Sequence, residues 1–436
     1  GSEMCIRDRY YKMKKLKQCV GVLTGLLLLS CSNADRTVSK STIDVAGAME
    51  NLQELKVSQL GSKIKFVPLE TNDSTLVANH WNFLVTDKYV IVSNMGYGSS
   101  QKCMTFDLNT GKYIATVGHP GQDPEAYGNC IPIIDESGSD VLYFFTPKGR
   151  LVKYSMDGRF LGSINSKIAN RRLTSYPLIN DTVMTAVLSG STLEGDRYIS
   201  LLRMDLEMNL IDSIAVVTQG NPIDPYARIR YSEAFIQEHP SLMPHSGLTF
   251  RKLKGKREDA GQMVEEISGS NQMWQTDGSV RFHQAFNDSI YDMSAEGTPI
   301  TYVFDTGKWR YPVEEAGKTV MTSAHAFVTD VTETTDKIIF AVSNGWFGED
   351  NKGYVGLYDK KSGATTMGEI EKGFEDDLTG FAPFYPVRTN GKGQLIGVMT
   401  IEDITKWVEK HPAEKRPTFI ETLAEDANPV LVIVES

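Results

Sequence analysis

Cysteine is scarce in this chain and forms no pattern. The five cysteines are Cys5, Cys19, Cys31, Cys103 and Cys130, with no CxxC pair and no metal-ligand spacing. Neither a zinc site nor a disulfide-dense scaffold is expected from them. Basic runs are short, and the formal net charge is -10. A nucleic-acid partner would need a basic face, so none is expected. The negative balance reads as solubility. Catalytic signatures are missing as well: there is no G-x-S-x-G elbow and no H-E-x-x-H helix. Gly391-Lys392-Gly393 has the look of a dinucleotide loop, but its third glycine falls one place late at Gly397. It also reads as a hairpin between strands, not a strand-to-helix turn, which rules the motif out. The apolar leader Val20–Leu29 is about ten residues long and too short to span a bilayer as a helix.

What is present is an ordinary globular composition, 41% hydrophobic and 23% charged, ample for a large core. Residues 1–12 read as a translated adapter rather than native protein and are set aside. Residues 13–30 have the layout of a lipoprotein signal peptide: Lys14, Lys15 and Lys17, then the apolar leader, then Leu28-Leu29-Ser30-Cys31. The last four residues resemble a bacterial lipobox, which marks Cys31 for lipidation. Acyl chains there would hold the body at a membrane surface. Residues 31–50 are polar and aperiodic and read as a flexible tether, leaving 51–436 as the folded body. Within the body, Cys103 and Cys130 could pair in an oxidising compartment or remain two buried thiols.

The body carries a weak repeat. Each copy has an apolar strand, often ending in an aromatic residue and Asp, then a Gly or Asn turn, then a second strand. Met104–Asp107 turns at Thr110-Gly111 into Tyr113–Val117, and Leu151–Tyr154 turns at Asp157-Gly158 into Phe160–Ile164. The pattern returns at Leu201–Asp205, at Ile290–Asp292 and at Gly356–Asp359. Such turns between alternating strands are hairpin signals. Four short strands every 40–50 residues, roughly, mean propeller blades. A sixth unit combines Phe384–Met399 with the terminal Val430–Val434, which is the late apolar strand available to meet Lys63–Val67. The expected fold is therefore all-β: a six-bladed β-propeller of four-stranded blades, with a short helical insertion near 224–269 and short helices near 401–425.

Four stretches resemble a known family, the six-bladed β-propeller lipoproteins of Bacteroidota. They are Phe66-Val67-Pro68-Leu69-Glu70-Thr71, the loop Gly118–Tyr127, the run Phe286–Tyr291 with Tyr302–Asp305, and Asn428–Ile433. Two positions depart from the pattern: Ala126 interrupts the glutamate–tyrosine step, and Ala427 stands where aspartate commonly precedes Asn-Pro. The resemblance implies a scaffold rather than a particular reaction; with the lipobox, the expected location is the cell envelope, as an outer-membrane lipoprotein on the periplasmic or the surface face.

Two aromatic stretches are candidate contact surfaces. Gly345-Trp346-Phe347-Gly348-Glu349-Asp350 sets two rings beside two acids on a glycine-flanked loop, and Phe381–Pro386 contributes Tyr385. Trp346, Phe347, Glu349, Asp350 and Tyr385 are the expected ligand-binding residues, suited to a glycan, a peptide or a partner protein. Phe381 and Phe384 are expected to pack between blades instead. His239 and His245 flank two prolines without a third ligand nearby, and Lys252, Lys254, Lys256 and Arg257 read as a solvated loop. No cofactor or metal is expected. The competing reading is an enzyme, a metal-dependent hydrolase, lactonase or lyase with its site in the propeller channel. It would require three or more metal-competent side chains converging there.

The lipobox carries its own test. The mature N-terminus should be an acylated Cys31 by intact mass, and Cys31→Ser should move the protein from the membrane to the soluble fraction. An unacylated N-terminus at another residue contradicts the anchor.

Overall fold

A computed structural model describes residues 41–77, 81–94, 101–146, 150–165, 177–191, 197–216, 271–284, 287–294, 300–310, 324–344, 352–412 and 416–436. Six antiparallel sheets form the blades of a six-bladed β-propeller. Each of the first five blades is a run of consecutive strands. The first comprises Trp81–Val85, Tyr89–Asn94, Lys102–Asp107 and Tyr113–Thr116. The second runs from Ile133–Ile134 to Phe160–Ile164, and the third from Leu178–Asn180 to Leu210–Val216. The fourth runs from Asn271–Thr276 to Ile300–Asp305, and the fifth from Ala326–Glu333 to Thr365–Glu369. The first strands of neighbouring blades touch one another, which places them innermost. The expected insertion near 224–269 lies outside the described residues. The expected helices near 401–425 are an α-helix at Ile401–Lys410 and a 3-10 turn at Thr418–Thr422.

Asp side chains make the blade turns, as the repeat implied. Asp107 Oδ1 accepts from the Asn109 and Thr110 amides at 3.1 and 2.8 Å. Asp205, Asp292 and Asp359 accept in the same way from the amides of Asn209, Ser294 and Ser362. An Asx side chain thereby replaces the missing ladder partner at the strand end. In the loop Gly118–Tyr127, His119 Nε2 and Asp123 Oδ2 lie 2.7 Å apart. Tyr127 is fully buried there and stacks on Phe144 of the second blade at 4.7 Å. The loop is thus pinned where the chain crosses between blades.

The sixth blade draws on both ends of the body. Its order is Arg388–Thr389, Leu395–Met399, Val430–Glu435, Lys63–Pro68. Val430 pairs with Pro68 and Val434 with Ile64, antiparallel, which is the expected closure. Gly111, in the first blade's turn, meets this strand closely. Its φ is +69°, and a Cβ there would sit 2.0 Å from the Pro68 carbonyl oxygen. Only glycine accommodates both conditions.

The tether ends earlier than its sequence suggests. Ser41–Asp44 adds a fifth, parallel strand to the outer edge of the fourth blade. A helix at Val45–Glu50 follows, capped by Asp44, whose side chain accepts from the Gly47 amide at 2.8 Å. The Gln53 amide then bonds the Met367 carbonyl on the fifth blade's outer strand, and Leu55–Lys56 pairs with Phe374–Glu375. Residues 41–50 are therefore not free tether, and 41–56 form a strap along the outer edges of the fourth and fifth blades. Ile43 and Val45 are its fully buried anchors.

Asn428 clasps the closure. Its Oδ1 accepts from the Val77 amide at 2.9 Å, and its Nδ2 donates to the carbonyls of Glu70 and Thr75 at 2.7 and 2.8 Å. The clasp forms with alanine at 427. Asn428→Ala removes three hydrogen bonds and leaves the Val77 amide and the Thr75 carbonyl without this partner, while the Glu70 carbonyl keeps the Thr75 hydroxyl; it should cost about 2–4 kcal/mol, measured by denaturant unfolding. A loss below about 0.5 kcal/mol, the range of an ordinary surface change, contradicts the clasp.

Candidate functional site

Of the expected contact residues, Trp346, Phe347, Glu349 and Asp350 lie outside the described residues, as do Cys31, His239, His245 and the basic run at 252–257. Tyr385 is described. Its neighbour Phe384 is fully buried and exchanges two backbone hydrogen bonds with Phe374, at 2.9 and 2.7 Å. That pairing turns Phe384 into the core and leaves Tyr385 half-buried on the opposite side. The Tyr385 hydroxyl donates to the Glu371 carbonyl at 2.6 Å. Phe381 is 4% exposed and packs on Trp407, Phe66 and Phe419. Both phenylalanines are core residues, as expected.

Tyr385 lines a groove of about 390 Å³. One wall is the helix Ile401–Lys410, and the other is the outer edge of the fifth blade with the strap residues Gln53–Leu55. The helix is fixed by a capping box, in which the Asp403 amide donates to Thr400 Oγ1 and Asp403 accepts from the Thr400 amide. Its apolar positions then face the core, with Ile404 buried and Trp407 half-buried at the groove. His411 stacks on Trp407 at 4.5 Å and 20°. Gly368 allows the strap to approach, since a Cβ there would lie 2.8 Å from the Gln53 carbonyl oxygen.

Charge in the groove is mixed. Glu54, Glu371, Glu375 and Asp403 face Lys372, Lys406 and Lys410. Lys372 pairs with Glu369 at 3.0 Å and Lys406 with Glu402 at 2.7 Å. Exposed pairs of this kind are weak, so they can exchange partners for a ligand's polar groups. Half-buried rings beside such charges can hold an amphipathic ligand by apolar contact and orient it by hydrogen bonds.

A second polar cluster lies on the innermost strands. Asp330, on the fifth blade, accepts from the Val331 amide at 3.0 Å and from Gln272 Nε2 on the fourth blade. Burial pushes the Asp330 carboxyl up to about 7, against the opposing charge of Arg388 on the sixth blade. Glu136, just after the second blade's inner strand, is also pushed up to about 7, first by desolvation and then by Asp135, while Arg388 opposes. Glu136 is itself exposed, so solvent screens its shift and the buried-carboxyl argument rests on Asp330. The charge of Arg388, on the sixth blade, opposes both shifts. Among the described residues, no three His, Cys, Asp or Glu side chains gather in a metal-binding group.

Sequence reasoning missed Trp407. The helical spacing of Ile401, Ile404 and Val408 is visible, and Trp407 falls on the edge of that stripe. It also missed Glu333, which pins the fourth blade to the fifth. Glu333 is 2% exposed, accepts from Trp274 Nε1 at 2.7 Å and pairs with Lys360 Nζ at 2.7 Å.

Comparison with known proteins adds a family and a fold. The family described as "Domain of unknown function (DUF4934)" matches residues 40–435. No curated protein matches the chain. Among solved structures, a protein of Bacteroides fragilis described as exported is similar, with 11% identity, a TM-score of 0.50, and coverage of 90% of this chain and 99% of that one. A member of the duf4221 family from Bacteroides vulgatus is similar at 7% identity and a TM-score of 0.44, covering 86% of this chain and 96% of its own.

The raised Asp330 carboxyl predicts a pH dependence. A folded pKa of about 7 exceeds the ordinary value of about 4 for Asp. Its contribution to stability is fully present below about pH 4 and is lost as pH rises through about 7. Asp330→Asn should therefore lose less melting temperature than the parent protein between about pH 5 and 8. Equal slopes in the two proteins contradict the shift at Asp330.

Proposed function

The chain belongs to the DUF4934 family, and from that premise we propose that it is a lipid-anchored propeller acting as a binding or interaction module of the cell envelope. Its ligand is a glycan, a peptide or a partner protein. The observation that carries this reading is the groove at the junction of the fifth and sixth blades. There Tyr385 and Trp407 are half-buried between flexible charges of both signs. A rigid ring of sheets supports the groove, so a ligand meets a largely preformed surface and little ordering cost opposes binding. Attachment to the envelope rests on the basic, apolar and lipobox order that ends at Cys31. The likeness to a B. fragilis protein described as exported agrees with it.

Glycan and peptide arrays probed with the full chain test the reading. Lys372→Glu combined with Lys410→Glu adds acid to an already acidic groove without touching the core. Array ligands of the parent protein should bind this variant at least about tenfold more weakly, as expected for lost charge complementarity, at an unchanged melting temperature. Equal binding by the variant, or no array ligand at all, contradicts the groove as the contact site.

A further inference from the structure

We propose that Cys103 and Cys130 are joined by a disulfide in the exported protein, stapling the first blade's third strand to the loop that leads into the second blade. Export is part of the reading given above, so the inference rests on it. Within the body these are the two cysteines that follow Cys31.

The geometry brings them together. Cys103 lies in Lys102–Asp107, paired with Ser93, and its carbonyl accepts from the Val117 amide at 2.8 Å. Cys130 follows the pinned loop, and its amide donates to Gln101 Oε1 at 2.9 Å, two residues from Cys103. Both are free thiols in the structure, both are essentially inaccessible, and they share one core cluster with Tyr127 and Phe144. Their side chains are within hydrogen-bonding reach of each other. That hydrogen bond holds the Cys130 thiol below its usual range, whereas burial pushes Cys103 up.

The chemistry needs one co-reactant, a disulfide-bearing oxidant of the thiol–disulfide exchange class. One of the two thiols loses its proton, and its sulfur attacks the oxidant's disulfide, releasing one oxidant thiolate. The other cysteine then loses its proton and attacks the protein sulfur of the mixed disulfide, releasing the second. The two protons end on the oxidant's two thiols, and the two electrons reduce its S–S bond. Because both sulfurs are inaccessible in the folded state, the step occurs before the first two blades close on each other. Once made, the bond is shielded from reductants by the same packing.

The test does not depend on where the protein resides. The full chain is unfolded, reduced and refolded in a glutathione buffer of secretory-compartment poise, then unfolded and alkylated. Peptide mapping should recover one cross-linked species containing Cys103 and Cys130, lighter by two hydrogens than the two peptides together. The oxidised protein should melt about 3–8 °C above the reduced one. Recovery of both cysteines alkylated, or each capped by glutathione, overturns the proposal. The same map on protein from cell envelopes must show the cross-link too. Absence of the chain from that fraction would refute the envelope reading, while the refolding result would still decide the pairing.

Discussion

One strand holds the two ends of the propeller together. Val430–Val434 is buried on both faces because it stands between two blades as well as within one. Val430, Val432 and Val434 face the core shared with the fifth blade, and Leu431 and Ile433 face the core shared with the first. Strand alternation sends odd and even side chains to opposite faces, so a run of five apolar residues is what this position requires. Burying each contributes about 1.5–3 kcal/mol, and the Lys63–Pro68 ladder converts that packing into closure of the ring. The groove depends on the closure. Its helix follows Leu395–Met399, the strand beside Val430–Glu435, and its opposite wall includes the strap that leads into Lys63–Pro68.

Much of this fold is legible in the residues. Asp and Gly turns set the blade rhythm because a hairpin end needs either an Asx cap or a residue tolerant of positive φ. The joining of Val430–Val434 to Lys63–Val67 is legible because a lone apolar strand at each end has no other partner. The strap is not. Ser41-Thr42-Ile43-Asp44 is polar at three of its four positions. It pairs at a sheet edge through its backbone, and the single buried Ile43 leaves little mark on composition. Its helix, Val45–Glu50, is too short to show a periodicity.

The site was harder to read for a different reason. Tyr385 stands out in a run of aromatics, but its groove is assembled from segments near residues 54, 370 and 405. No local pattern links stretches that far apart. The inner carboxylates are ordinary in sequence. Asp330 is unusual only because innermost strands of neighbouring blades meet there, which desolvates its carboxyl beside Gln272 of the fourth blade. By contrast, Phe381 and Phe384 were readable as core, because aromatics beside the first strand of a blade have neighbouring blades to pack against.

Native-state hydrogen exchange tests the closure most directly. If both ends of the chain are locked into one ring, the amides of Val430–Val434 and of Ile64–Val67 exchange together, and only through global unfolding. Their opening free energies should then match each other and those of the buried strand Tyr89–Asn94 in the first blade. Fast exchange of either closing strand, while the first blade stays protected, would mean that the ring opens on its own and would contradict the account.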